Sequence, residues 1–374
     1  MVRKRALGIL RVAFAAALIA WIGSRVSLSD AAVRRDPGGE VLEARSGRAV
    51  GPWNAERVPF RDGTGRVEAL ERAEGWRVAP GLRTLVANLD LRLYGVTLLV
   101  CFTTPLLTVV RWRALLRAVG IRVGFGEACR LTYVGLFFNL VVPGLTGGDV
   151  VKAVLAARST DRREAAVVSV LVDRGIGTIA LALLAAVVVW PRRERFSEIA
   201  TGIYLLLGAL AVASLLLLSR RLRRWLAVDR LVRALPFAGV VRRVDEAVLA
   251  YRDHPRTLAN ALALSLANHL AILAGVVFLA RGLGDPLPVG DYLVLVPTIS
   301  ILSAAPIAPG GWGVGETLFG EFFRRYGSSL ELGVAISVLY RLAWMVASLP
   351  GGAFWMTGRR RSAQASLGRV PTPR

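Results

Sequence analysis

Lysine, cysteine and histidine are almost missing from this 374-residue chain, and each shortage removes a class of chemistry. The two cysteines, Cys101 inside an apolar run and Cys129 close to another, offer no ligand spacing. Neither a disulfide framework nor a zinc site is expected. Only two histidines occur, His254 and His269, and no Ser-His-Asp set accompanies them. No Gly-x-x-x-x-Gly-Lys-Ser/Thr loop is present to cradle a nucleotide's phosphates, and no cofactor or metal is expected. Acidic residues are also scarce, 26 against 48 basic ones, for a formal charge of +22. That balance raises the question of nucleic acid. Lys4 and Lys152 are the only lysines, however, and many arginines flank apolar runs, so membrane orientation accounts for the charge without nucleic acid.

Apolar residues are plentiful: 54% of the chain is hydrophobic, and the mean hydropathy is +0.52. Several runs approach the roughly 20 residues that span a bilayer, so an all-α polytopic membrane protein is expected. Residues 1–23 read as a first span, uncleaved because no small-x-small site follows Ile22. Residues 24–90 form a polar, extracytoplasmic, β-rich insertion in which eleven arginines nearly balance ten acids. Within it, Asp62-Gly63 between β-prone residues predicts a hairpin turn.

Residues 91–357 make the main transmembrane domain. Spans are expected near Leu91–Val110, Ala165–Trp190, Ile199–Leu218, Leu258–Ala280 and Leu332–Met356. Basic clusters at Arg111–Arg122, Arg158–Arg163, Arg220–Arg256 and Arg359–Arg361 mark the cytoplasmic side. Residues 220–256 hold ten arginines with apolar residues at helical spacing and predict an amphipathic segment on the inner leaflet. Residues 358–374 form a cytoplasmic basic tail, so both termini are expected inside. Asn268 and His269, within an apolar span, read as interhelical hydrogen-bond partners.

Two stretches break the apolar pattern in the same way. Asn139 to Asp149 reads Asn-Leu-Val-Val-Pro-Gly-Leu-Thr-Gly-Gly-Asp, and Ser303 to Glu316 reads Ser-Ala-Ala-Pro-Ile-Ala-Pro-Gly-Gly-Trp-Gly-Val-Gly-Glu. In each an acid opens a new helix, and an arginine follows 25 positions later, Arg174 after Asp149 and Arg341 after Glu316. Ser-Val-Leu precedes both arginines, at 169–171 and 337–339, which makes the pair an internal repeat. Gly/Pro-interrupted apolar segments in corresponding positions of two halves point to a transporter-like site made from broken helices. By charge, the first segment starts and ends inside and the second outside. The expected fold therefore has about six full transmembrane helices plus two re-entrant broken helices in an inverted repeat.

A helix that begins inside a membrane aims free N–H groups and its positive dipole end at any visiting anion. Asp149 and Glu316 could simply cap those helices, or could serve the site. Arg174 and Arg341 cost roughly 2.5–3.5 kcal/mol each at the centre of a span, so something must offset them. Either an ion pair with Asp149, Asp173 or Glu316 does so, or a bound phosphate does.

Phe138-Asn139, Pro143-Gly144, Gly147-Gly148-Asp149 and Asp173-Arg174, with Pro309-Gly310-Gly311, Gly313, Glu316 and Tyr340-Arg341, resemble the lysylphosphatidylglycerol synthase transmembrane-region family. The likeness covers roughly Leu91 to Met356. It implies a flippase-like fold related to the lipid-translocating part of multi-peptide resistance factors. Substrate-binding candidates are Asn139, Pro143, Gly147, Gly148, Asp149, Asp173, Arg174, Pro309, Gly310, Gly311, Gly313, Glu316, Tyr340 and Arg341. No soluble aminoacyl-transferase domain follows Arg374, so lipid lysylation, and enzymatic activity generally, are not expected. The expected function is translocation of an anionic-headgroup lipid or lipid-linked intermediate across the cytoplasmic (inner) membrane. The alternative is an integral membrane partner of a separately encoded lipid-modifying or glycosyl transferase.

Overall fold

The computed structural model describes residues 2–36, 40–141, 147–218, 238–304 and 311–367. Helix α1 (Val2–Arg25) leads into five strands, β1 (Asp30–Arg35), β2 (Val41–Ala49), β3 (Arg57–Asp62), β4 (Val67–Glu71) and β5 (Trp76–Ala79). A short α2 (Leu82–Ala87) then leads into α3 (Leu91–Ala118), α4 (Phe125–Val141), α5 (Gly147–Arg158), α6 (Arg163–Val189) and α7 (Ser197–Leu218). The remaining helices are α8 (Ala238–Ala250), α9 (Pro255–Gly282), α10 (Val289–Ser303), α11 (Val314–Arg325) and α12 (Leu330–Leu367).

Five helices are long and apolar enough to cross a membrane, over Leu91–Ala118, Arg163–Arg192, Ser197–Leu216, Pro255–Gly282 and Leu330–Thr357. They coincide with five of the six expected spans, and α1 covers the sixth. Large apolar side chains such as Val187 and Leu205 are about 70% exposed on these helices, an arrangement suited to lipid rather than water. The protein is a multi-pass integral membrane protein with a β-rich insertion. Residues 220–237 of the expected amphipathic stretch lie outside the described residues, as do Pro143, Pro309 and Gly310. The expected basic tail begins as a continuation of α12 to Leu367.

The chain divides into two compact units. The first comprises Met1–Leu99, Leu273–Leu295 and Ile307–Ala343. It contains the insertion, an antiparallel sheet in the order β4-β3-β2-β1-β5. Ala32, Phe60, Leu70 and Trp76 form its small core. Buried Asp30 fastens the start of β1, accepting hydrogen bonds from the Ala49 N–H (2.6 Å), the Gly81 N–H (2.7 Å) and the Thr84 hydroxyl (2.8 Å). The predicted hairpin joins β3 to β4, but its left-handed residue is Gly65 (φ 89°) rather than Gly63. Asp62 Oδ1 accepts from the Thr64 N–H and hydroxyl and from the Arg66 N–H, which winds the turn one step later than the Asp-Gly pair suggests. In the same unit α1 meets α11 through Arg25 and Glu321 at 2.6 Å.

The second unit comprises Val100–Ile272, Val296–Pro306 and Trp344–Arg374. Here α4 and α5 form a hairpin about the first break. A Cβ placed on Gly148 would lie 2.7 Å from Asn139 Oδ1, and one on Gly135 would lie 3.4 Å from the Lys152 Cβ. Contacts thus recede from the break at the same pace along both helices, which requires antiparallel packing. At about 1.5 Å per residue, the twelve-residue α5 is roughly 18 Å long. That is too short for the roughly 30 Å hydrocarbon layer.

Backbone proximity fixes the hairpin, since a Gly148 Cβ would sit only 1.7 Å from the Gly135 carbonyl oxygen. Helix α12 approaches α4 in the same manner, with Gly351 against the Tyr133 carbonyl at 1.9 Å from a would-be Cβ. Gly148→Ala should therefore destabilise the protein by about 1–3 kcal/mol or more. Gly208→Ala, on α7 with open space around it, should be neutral or stabilising by up to about 1 kcal/mol. Thermal unfolding of both variants in detergent checks this; equal melting temperatures would show that the close approach is not needed.

Candidate functional site

The first break brings most of its residues to one place. The Asn139 side-chain carbonyl, on the last turn of α4, accepts the Gly148 N–H at 2.8 Å. Asn139 thus caps one of the unpaired donors at the start of α5. Gly147 and Gly148 are buried, and Asp149 follows in the first turn. Across from it on α6, Arg174 Nη1 stands 3.5 Å from Asp149 Oδ2. The contact is an ion pair without a hydrogen bond, because that carboxylate oxygen has no hydrogen-bond partner among the described residues. Arg174 retains 49% side-chain exposure.

Its neighbour Asp173 is sealed. Asp173 Oδ1 accepts from Arg111 Nε at 2.6 Å, with side-chain exposures of 8% for the arginine and 9% for the aspartate. Arg111 Nη1 also donates to the Ser265 hydroxyl on α9 at 2.5 Å. One turn beyond Asp149, Lys152 is 4% exposed, with its ammonium 4.0 Å from the centre of the Trp112 ring. The His269 Nε2 lies 2.9 Å from the Gly177 carbonyl and so joins α9 to α6 as a span-buried histidine was expected to do. Asn268, by contrast, has no partner for its carbonyl oxygen among the described residues. Asn139, Asp149, Lys152, Asp173, Arg174 and Asn268 all line one cavity of about 490 Å³ within the second unit, a size suited to small ligands.

The second break repeats the pairing with a different finish. Gly311 and Gly313 take positive φ angles of 69° and 80°, and the Gly313 N–H donates to Glu316 Oε2 at 2.7 Å. The other oxygen, Oε1, accepts from Arg341 Nε at 2.9 Å. Arg341 Nη2 also donates to the Gly311 carbonyl at 3.1 Å, and the guanidinium lies 4.4 Å from the centre of the Trp312 ring. Glu316 therefore caps its helix and holds the arginine at once. Side-chain exposure falls to 19% for Arg341 and 6% for Glu316. Tyr340 precedes Arg341 on α12 and is partly buried. Equal spacing in sequence thus yields one open and one closed acid–arginine pair.

The family described as lysylphosphatidylglycerol synthase TM region matches residues 79–351. The chain belongs to that family. The matched stretch takes in both breaks, both acid–arginine pairs and the whole cavity lining, and it begins at the last residue of β5, so strands β1 to β4 lie outside it. A UPF0104 membrane protein of Pyrococcus horikoshii is 24% identical over 309 residues, which cover 75% of this chain and 92% of that protein.

Among the cavity residues that escaped the sequence reading are Arg111, Lys152 and Thr132. Arg111 read as the first of a cytoplasmic cluster, but α3 continues to Ala118 and carries it into the helix interior. Lys152 carried a signal: it is three positions after Asp149 on the same helix, hence on the same face. Thr132 gave none, because a threonine in an apolar helix is ordinary.

The buried pair and the open pair should respond differently to mutation. Asp173→Asn leaves Arg111 buried without its carboxylate and should cost about 3–5 kcal/mol. Arg174→Ala removes a half-exposed partner and should cost less than about 1 kcal/mol. Chemical denaturation in mixed micelles measures both, and comparable losses would contradict the distinction.

Proposed function

We propose that the protein translocates a lipid with an anionic headgroup, or a lipid-linked intermediate, across the cytoplasmic membrane. The observation that carries this reading is the open Asp149–Arg174 pair on a cavity that holds five charged side chains among apolar helices. An exposed, weakly held guanidinium in such surroundings is suited to take a phosphate when one arrives. In this reading the α4–α5 hairpin and the α10–α11 break enter the membrane from opposite sides as re-entrant segments. Helices of about 18 Å, as α5 and α11 are, suit that role because neither reaches across alone. The two acid–arginine pairs are then the two halves of an inverted repeat. The headgroup passes through the cavity, past its charged side chains, while its own chains stay in lipid, which lowers the cost of carrying charge through hydrocarbon.

The orientation follows from the basic clusters, so residues near Arg66 and Pro286 face outside and those near Arg252 face the cytoplasm. In a background lacking Cys101 and Cys129, Arg66→Cys and Pro286→Cys should react with an impermeant maleimide added to intact cells, whereas Arg252→Cys should react only after lysis. Outside labelling at Arg252 would reverse the topology on which the inverted repeat rests.

Transport is read in liposomes that carry a fluorescent anionic lipid in both leaflets. The protein should expose the inner-leaflet pool to an external quencher faster than empty liposomes do, and a zwitterionic lipid should move less. Arg174→Ala should slow the anionic lipid by about tenfold, the loss of roughly one charged hydrogen bond. If wild type and variant move every lipid equally, the anion-groove mechanism fails. A partner that presents lipid to a separate transferase then becomes the better reading.

A further inference from the structure

The insertion holds positive charge that neither membrane orientation nor its own acids account for. Long extracytoplasmic loops cross largely regardless of charge, so orientation gives its arginines no task. Ala32, Phe60, Leu70 and Trp76 mark the sheet face that carries the core. Successive positions alternate between faces, and Arg48 on β2 and Arg61 on β3 are paired one step from the Ala49–Phe60 pair. The two arginines therefore stand directly opposite each other on the other face. Like charges so placed lie on backbones about 5 Å apart and destabilise a sheet. Both side chains are exposed, and among the described residues neither has a carboxylate partner.

Arg77 on β5 shares that face. It pairs with Val33, which pairs with Ala44, and Ala44 is four positions from Arg48 on β2. At about 3.3 Å per residue and about 4.8 Å between strands, Arg77 stands roughly 16 Å from Arg48. It too is exposed and, among the described residues, has no carboxylate partner; its Nη1 donates to the Trp76 carbonyl at 3.3 Å. The acids nearby are already engaged. Glu71 on this face meets Arg57 at 3.6 Å. Asp30 and Asp62 both pair with Gly47, hence on the core face, and accept from N–H and hydroxyl groups of the insertion itself. At the end of the sheet, Arg48 and the exposed Arg83 border a hollow of about 350 Å³ together with Ser29, Asp30 and Thr84.

Between the arginines this face carries small side chains, among them Ala31, Val33, Ala44, Ser46, Val67 and Ala69. Among the described residues it carries no aromatic side chain. Single-stranded bases stack on aromatics, membrane interfaces draw Trp and Tyr, and protein interfaces centre on aromatic anchors. Repeated positive charge over a low surface without aromatics suits instead an extended chain of repeated negative charges.

We infer that this face is an extracytoplasmic docking surface for a linear anionic polysaccharide, whose repeats carry carboxylate or phosphodiester groups. Arg48 and Arg61 grip one stretch of the chain, Arg77 holds another a few units away, and Arg83 meets it at the hollow. The outward orientation given above places the surface where such chains occur. Whether the helices move lipid does not bear on it.

Thermophoresis of the full-length protein in nanodiscs of neutral phosphatidylcholine tests this. Decagalacturonate should bind about tenfold or more tightly than digalacturonate, which is too short to reach from Arg48 to Arg77, and neutral maltodecaose should not bind. A ten-unit glycerol phosphate chain supplies the phosphodiester arm, and the tighter of the two anionic chains names the anion. Arg48→Thr plus Arg61→Thr should weaken the preferred chain by about tenfold or more, while the melting temperature holds or rises as the repulsion is removed. Arg48→Lys plus Arg61→Lys keeps the charge and should stay within about threefold of wild type. That variant decides the matter if the Thr variant does not fold, because a loss as large as tenfold with the charge retained would contradict a surface read by charge. Equal affinity for two-unit and ten-unit chains, or a Thr variant that binds as wild type does, would overturn the proposal. Decathymidylate binding more tightly than either anionic chain would make the partner a nucleic acid, and capture of phosphatidylglycerol vesicles without binding of either chain would make it a lipid surface; each overturns the polysaccharide.

Discussion

Charge placed among apolar helices has to be paired, and the Arg111–Asp173 bridge is where this chain meets that demand most completely. A 2.6 Å contact between two nearly buried side chains, with Ser265 taking a further guanidinium N–H, joins α3, α6 and α9. Replacing such a pair with apolar residues can be neutral, but leaving either half alone is strongly destabilising. The cavity depends on that bridge because Asp149, Lys152 and Arg174 line its remaining walls. With Arg111 and Asp173 satisfied by each other, the neighbouring charges need not collapse onto them.

The two acid–arginine pairs show how one sequence pattern can serve two ends. In the second copy, Gly313 lets Glu316 turn back on its own helix start, so one carboxylate both caps and pairs. Trp312 then covers the arginine. In the first copy, Asn139 from the preceding helix already caps Gly148, and Asp149 is left to face Arg174 at 3.5 Å. A division of capping between two residues opens the site, while its concentration in one closes it. The choice lies in a few side chains around each break rather than in the repeat itself.

The insertion obeys a different physics. Its sheet has a core of a few large side chains, and Asp30 supplies backbone anchoring that so small a core could not. Strands β1 to β4 lie outside the family-matched residues, which sets this element apart from the helices that carry the breaks. Some of its arginines and acids pair within the sheet, as Arg45 does with Glu43 on the same strand and with Glu68 on β4, so part of the near balance of its charges is used locally.

The sequence alone determined the elements and their kind. Runs of apolar residues near 20 long have few alternatives to membrane helices, and five such helices stand where the runs are. The Gly-rich breaks and the equal 25-residue spacings likewise picked out both acids and both arginines, but not their pairing, because each acid and its arginine stand on different helices. Hydropathy and spacing could not say which charges face one another across helices. Arg111 reads as a flanking arginine and meets Asp173 only because α3 packs against α6. Lys152 reads as an ordinary residue after a break until Trp112 and the cavity enclose it. Whether Arg174 is open and Arg341 covered depends on Trp312, Gly311 and Asn139, whose roles arise from distances between elements. Local propensity and hydropathy act along the chain, whereas charge pairing and enclosure act across it, so only the tertiary structure decided the site.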